Sequence, residues 1–241
     1  MNDGMSLIIS CMDYRIQDAI DSVINDNEKF VIMRNGGANV KGLTNSIVRI
    51  IKQGNVKRIK LMPHSDCAAM KIVYSTLREN KGCDAVIYEN LVEQFNGENF
   101  NSLKELEIVN KARQYDSTKN LLEENDIGKG IQIESSFVNT ETLRYHQKNG
   151  SFVLSFPISA KYHSLFNRID KIRGSYFLHS LDIEDLAVDL VIANKLVGLN
   201  KLFLLYVNGG EKEALNEHIE RMKKRNILGD DIEVEMLRNG P

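Results

Sequence analysis

Proline is scarce in this chain, with three in 241 residues, and no Pro-rich or Ser/Gly-rich stretch interrupts it, so any domain boundary has to be tight. An excess of basic charge is also missing. Acids and bases are interspersed and the formal net charge is -2, which leaves no stripe of like sign to attract nucleic acid or an anionic membrane. No segment approaches the roughly 20 apolar residues of a membrane span, and MNDGMSLIIS has no basic flank before a long apolar region. A soluble, cytoplasmic protein is expected. Cysteine is sparse too: Cys11, Cys67 and Cys83 are an odd number in a chain too large to need disulfide staples, which points to metal binding or burial. With 42% hydrophobic side chains, the chain can bury a substantial core as one large domain or two small ones.

The apolar runs that are present are short and alternate with helical patterns. Residues 6–10 read as a strand, and Ile16, Ala19, Ile20, Val23 and Ile24 then fall on one helical face. KFVIMRN is a second strand ending in NGG, followed by helical spacing at Leu43, Ile47, Ile50 and Ile51 up to Gly54. VKRIKLM is a third strand leading into PHSDCAAM, and Met70, Val73 and Leu77 suggest another helix. Residues 100–125 form a charged helical stretch, and IQIESSFV is a further strand. Strands separated by such helices predict an α/β fold with a mainly parallel sheet flanked by helices. In such a sheet the carboxyl ends of the strands share one edge, where ligands bind; Cys11 and His64 both fall there.

The second half repeats this order. SFVLSFPISAKYHSLFNRIDKIRGSYFLHS aligns with MSLIISCMDYRIQDAIDSVINDNEKFVIMRN, and LDIEDLAVDLVIANKLVGLNKLFLLYVNGG tracks GLTNSIVRIIKQGNVKRIKLMPHSDC. Residues 151–241 therefore read as a degenerate copy of residues 1–150. Phe156 falls where Cys11 stands, Ile158 where Asp13 stands, and Val207 and Gly210 lie near the positions of His64 and Cys67.

Cys11, His64 and Cys67 make a Cys2His set, with the last two in an H-x2-C spacing that one turn can present to a single ion. Zinc suits mixed thiolate and imidazole donors, and three protein ligands leave a fourth position for water or substrate. Asp13 can complete the tetrahedron and close the site, or pair with Arg15 and accept a hydrogen bond from a metal-bound water instead. Asp66 is expected to do no more than cap the following helix, and Gly36 and Gly37 to let the backbone pass close to the site. Cys83 has no ligand-forming neighbours, and His146, His163, His179 and His218 are expected on the surface or in packing. RNGGANVKG does not match a dinucleotide-binding glycine loop.

Together, CMDYR, RNGGAN and HSDCAAM resemble the C-x-D-x-R, R-N-x-G-N and H-x-x-C segments of the β-class carbonic anhydrases, in the same order, over roughly the first 150 residues. The resemblance implies reversible hydration of carbon dioxide to bicarbonate. It implies Cys11, His64 and Cys67 as zinc ligands and Asp13 with Arg15 as the catalytic dyad. Family members pair into dimers, so a degenerate second half implies a partner fused into the same chain, either as a monomeric pseudo-dimer or within a homo-oligomer. Tyr14, Ala68 and the Gly37-Ala38 pair depart from the family pattern and bear on the substrate channel. Three other readings remain open: the same site acting on carbon disulfide or carbonyl sulfide, a silent zinc protein with Asp13 as fourth ligand, and a metal-free α/β domain.

Overall fold

Residues 4–24, 29–141, 150–159, 163 and 169–239 are described by a computed structural model of the chain. The first four strands are β1 (Met5–Cys11), β2 (Lys29–Asn35), β3 (Val56–Met62) and β4 (Gln132–Ser135). They are parallel, in the order β4-β3-β1-β2. Helices cover both faces of such a sheet, so its central strands are continuous apolar runs rather than alternating ones. Leu7, Ile8 and Ile9 in β1 are fully enclosed. Each such side chain contributes about 1.5–3 kcal/mol on burial.

The helical period read over residues 16–24 yields a short helix, α1 (Gln17–Ser22), preceded by a tight turn at Tyr14–Ile16. α2 (Thr44–Gln53) buries Ile47 and Ile50 and ends at Gly54, whose amide donates to the Ile50 carbonyl at 2.8 Å. A Cβ at Gly54 would lie 2.9 Å from Met5 Cε and 3.0 Å from the Ile50 carbonyl oxygen, so this helix end packs closely on the start of β1. α3 (Ala68–Arg78) packs Ala69, Met70 and Val73 inward. α4 (Ala85–Ile87) is one turn that continues irregularly to Phe95. α5 (Leu103–Glu124) opens on Ser102, whose hydroxyl accepts from the Glu105 amide while the Glu105 carboxylate accepts from the Asn101 amide. This is a variant of the capping box.

The expected boundary near residue 150 falls between β4 and β5 (Ser151–Ser155), and one nine-stranded sheet continues across it. β6 (Ile158–Ser159) is a two-residue strand antiparallel to β2. β7 (Tyr176–His179) precedes α6 (Ala187–Val197), β8 (Lys201–Tyr206), α7 (Gly209–Lys224) and β9 (Glu233–Arg238). These strands are again parallel, in the order β7-β5-β8-β9, and the two blocks join where β2 and β7 run antiparallel. The helix expected over residues 160–168 lies outside the described residues apart from His163, and α7 and β9 are additional to the elements read from sequence.

Counted within its own block, each strand has the same neighbours. Leu7 of β1 pairs with Val31 and Ile59, and Phe152 of β5 pairs with Tyr176 and Leu202. Arg34 and His179, which fall at the same position when the two halves are aligned by sequence, face each other across the antiparallel junction. The same alignment puts Phe156 at the position of Cys11, Val207 at that of His64 and Gly210 at that of Cys67.

Candidate metal centre

β1 ends at Cys11, β3 ends two residues before His64, and Cys67 is the N-cap residue of α3, so the three side chains meet at the carboxyl ends of adjacent strands. All three are buried, and one ligand atom from each lies within 4.8 Å of the others. Cys11 Sγ and Cys67 Sγ are 3.9 Å apart. With Zn–S bonds of about 2.3 Å, a tetrahedral site needs sulfurs about 3.8 Å apart. The His64 Nδ1–H donates to the Ser65 carbonyl at 2.7 Å, which leaves Nε2 as the free ring atom. Nε2 is enclosed and has no hydrogen-bond partner among the described residues. Imidazole fixed through one nitrogen and bare at the other is the usual state of a metal-ligating histidine. The donor set therefore fits zinc.

The protons of this cluster follow its geometry. Burial raises the Cys11 thiol, but the hydrogen bond with Cys67 and the charge on His64 outweigh it and bring Cys11 well below the ordinary thiol range. Cys67 is pushed well above that range by its hydrogen bond with Cys11 and by burial. Burial lowers His64, while the Cys11 thiolate and Asp13 more than compensate and raise it. A metal ion entering the cluster displaces the retained protons, so its affinity rises with pH.

Asp13 is turned toward Arg15. Arg15 Nε lies 3.1 and 3.0 Å from the two carboxylate oxygens and Nη2 lies 2.6 Å from Oδ2. Burial raises the Asp13 carboxyl, and Arg15 together with His64 overcomes this and holds it below the usual carboxylate range. Asp13 Oδ2 stays 3.9 Å from His64 Nε2, so the ionised carboxylate borders the metal cluster while bound to the guanidinium. The sequence reading placed Asp13 and Arg15 at alternate positions of one extended segment. Instead, β1 stops at Cys11 and Asp13 caps the turn at Tyr14–Ile16 by accepting from the Arg15 amide at 2.9 Å. That turn folds Arg15 back over its own cap.

Asp66 has a different role from the one expected. It is not the cap of α3; its backbone is left-handed, at φ 54°. Its Oδ2 accepts from Arg15 Nη1 at 2.7 Å, its carbonyl accepts from Arg15 Nη2 at 3.0 Å, and Lys71 Nζ lies 2.5 Å from Oδ1. The residue between the two H-x2-C positions thus anchors the far side of Arg15.

Further residues brace the cluster. Buried Arg34 donates to the carbonyls of Cys11 (3.0 Å) and Asp13 (2.7 Å) and to Gln17 Oε1 (2.6 Å). Glu107 accepts from the Cys67 amide at 2.9 Å, and Asn110 Nδ2 donates to the Gly37 carbonyl at 3.0 Å. Gly36 and Gly37 pass against the site as expected: the Gly37 amide donates to Cys11 Sγ at 3.3 Å, and Gly37 has φ +75°. Ala38 also has a left-handed backbone, at φ 57°. From the second half, buried Asp189 of α6 accepts from the Gly36 amide at 2.7 Å. The sequence signals for these were a lone acid inside the apolar run LAVDLVIAN and, in α5, polar residues at helical spacing.

The remaining candidates stay apart from the cluster. Cys83 is a half-buried free thiol in the segment before α4. His163 Nε2 lies 2.7 Å from Asp21 Oδ1, buried His179 Nδ1 lies 2.8 Å from Ser155 Oγ, and His218 neighbours Arg221. His146 lies outside the described residues.

No protein-family model matches the chain, and no curated protein is significantly similar to it in sequence. Among solved structures, it is similar to the β-carbonic anhydrase CafA of Aspergillus fumigatus, at 16% identity and TM-score 0.40 over 58% of this chain and 72% of that one. It is similar to the limiting CO2-inducible protein LCIB at 12% identity and TM-score 0.41, over 57% of this chain and 73% of that one. A carbon disulfide hydrolase in its apo form gives 15% identity and TM-score 0.33 over 57% and 75%. These are likenesses at low identity, and what the site can do rests on its own residues.

Proposed function

We propose that the protein catalyses zinc-dependent reversible hydration of carbon dioxide to bicarbonate, with zinc held by Cys11, His64 and Cys67. The observation that carries this reading is the Asp13–Arg15 pair beside the three buried donors. A carboxylate drawn into the metal would close the site, and Asp13 is instead held by three guanidinium contacts. Zinc, when bound, supplies a Lewis acid that brings the pKa of water near 7. Asp13, kept ionised by Arg15, accepts a hydrogen bond from the reacting water and orients it toward the substrate carbon. Arg34 fixes that carboxylate by holding the backbone carbonyls on either side of Met12. Burial of Cys11, His64 and Cys67 excludes bulk solvent, so the contacts around the reaction act in a low dielectric.

We further infer that residues 151–241 are a degenerate copy of residues 1–150, packed as a pseudo-dimer partner within one chain. The matching strand order and the pairing of Arg34 with its own counterpart His179 support this. Among the described residues no helix is long and apolar enough to cross a membrane, and the three free cysteines suit a cytoplasmic setting. The test is stopped-flow hydration of carbon dioxide between pH 6.5 and 9 on zinc-replete wild type and Asp13→Ala. Activity in the wild type, largely lost in the variant at equal zinc content, is expected. A zinc-replete wild type inactive across that range refutes the assignment, and turnover of carbonyl sulfide or carbon disulfide in its place would redirect it.

A further inference from the structure

The counterpart of the metal centre is a cleft. A cavity of about 430 Å³ is walled by Val31, Ile50, Phe156, Pro157 and Leu181 and bounded by Gly210 and Glu211 of α7. Given the duplication proposed above, Phe156, Pro157, Leu181 and Gly210 stand at the positions of Cys11, Met12, Gly36 and Cys67. The cleft therefore lies where a second centre would lie if both halves carried one. At those positions it presents a phenyl ring and a bare backbone, and its described lining residues include neither thiol nor imidazole.

At Gly210 the start of α7 sends no side chain into this space. Gly210 is the telling position. Its backbone is not left-handed, and a Cβ there would meet only Asn208 Oδ1, at an ordinary 3.4 Å. A glycine within a helix costs about 0.5–1 kcal/mol relative to alanine. Gly210 is exposed in the first turn of α7, where an added Cβ would meet no backbone, and its lack of a side chain leaves the mouth of the cleft clear.

The lining also selects by charge. Glu211 receives the Val207 amide at 2.7 Å and Asn208 Nδ2 at 3.2 Å, which fixes a carboxylate at the end of the cleft. Among the described residues that line it, none is cationic. An anion such as bicarbonate meets repulsion and no donor partner, whereas an uncharged apolar molecule exchanges water for hydrocarbon on most sides. We propose that this cleft is a binding site for a small, uncharged, largely apolar molecule, separate from the metal centre and independent of the reaction assigned to it. Its size is within the range of pockets that enclose small ligands, about 300–1,000 Å³.

The test uses the full chain loaded with zinc and N-phenyl-1-naphthylamine, an uncharged fluorescent probe. One equivalent should bind per chain, with a Kd in the micromolar range. Gly210→Phe, which fills the cleft, should weaken this by about tenfold or more, equivalent to about 1.4 kcal/mol. Gly210→Ala should change it little, and both variants should retain zinc. If Gly210→Phe fails to fold, Phe156→Trp narrows the cleft from the opposite wall and should weaken binding in the same direction. Absence of saturable binding to wild type, or unchanged binding in a folded cleft-filling variant, overturns the proposal. Equal affinity for the sulfonated analogue 1-anilinonaphthalene-8-sulfonate overturns the assignment to uncharged ligands.

Discussion

The carboxyl ends of β1 and β3 and those of β5 and β8 are built on matching strands with matching neighbours, yet they present opposite chemistry. One end gathers Cys11, Asp13, His64 and Cys67 in a braced, buried cluster; the other offers Phe156, Pro157, Leu181 and Gly210 around an apolar cleft. The scaffold tolerates both because the differing side chains sit at the last residue of a strand or in the turn after it, where strand pairing does not depend on their chemistry. The candidate ligands therefore differ between the two ends while the strands beneath them match, so fold and site chemistry are separable.

The widest gap between the two ends is expected for metal binding. Cys67→Ser removes one of three donors and should cost at least about 100-fold in zinc affinity, given that outer partners of a metal ligand alone are worth about 10–100-fold. Gly210→Ser, at the counterpart position, should leave zinc content unchanged. Metal analysis after dialysis against a weak chelator reads both, and equal zinc retention in the two would break the comparison.

Catalysis comes next. Asp13→Ala should keep zinc and lower kcat/KM for carbon dioxide hydration by about 100- to 10,000-fold, the usual worth of a positioned proton acceptor. Its counterpart change, Ile158→Ala, should leave kcat/KM within a factor of about two and instead destabilise the chain by about 2–5 kcal/mol, because it empties a buried aliphatic site. Stopped-flow rates and urea unfolding of both variants separate a reacting group from a packing group.

The second half nevertheless reaches into the first through Asp189. Burial drives its carboxyl up to about 7, against the opposing hydrogen bond from the Gly36 amide. The unfolded chain releases this proton near pH 4, whereas the folded chain keeps it until about pH 7. Stability therefore falls as pH rises through that window and levels off above it. At about 1.4 kcal/mol per pH unit, the loss is on the order of 4 kcal/mol. Asp189→Asn keeps an acceptor for Gly36 without the titration, so its unfolding free energy should lack this decline. Urea melts of both proteins between pH 4.5 and 7.5 measure the difference, and parallel curves would show that Asp189 is already ionised in the fold.

The strands around the metal centre and its three donors were legible because each donor directly follows an apolar run or the next turn, where sequence order alone places it on one edge. The bracing was not. Glu107 and Asn110 belong to α5, whose charged pattern looks like a solvated helix until tertiary packing turns its polar stripe onto the Cys67 amide and the Gly37 carbonyl. Arg34 sat inside a quoted motif, but its partners are backbone carbonyls that no spacing reveals. Asp66 was misread because Asp before a helix is ordinarily a cap, whereas here the competing Arg15 draws its carboxylate away. The short antiparallel β6 follows Phe156 and Pro157 in a segment that the sequence likened to the metal-binding turn.

The smallest effects concern two glycines with opposite reasons for being there. Gly37 is left-handed, and an added Cβ would meet Met70 Cε at 3.2 Å and Ala69 Cβ at 3.5 Å while straining the amide that points at Cys11 Sγ. Gly37→Ala should therefore destabilise the chain by about 1–2 kcal/mol and weaken zinc binding as well. Gly210→Ala adds a methyl group in open space in the first turn of α7, so it should stabilise by up to about 0.5 kcal/mol, less than at a helix interior, and leave zinc untouched. Urea unfolding gives the two signs and metal titration the second readout. Two losses would mean that the cleft end is as tightly specified as the metal end, and the contrast between the halves would then lie in their ligands alone.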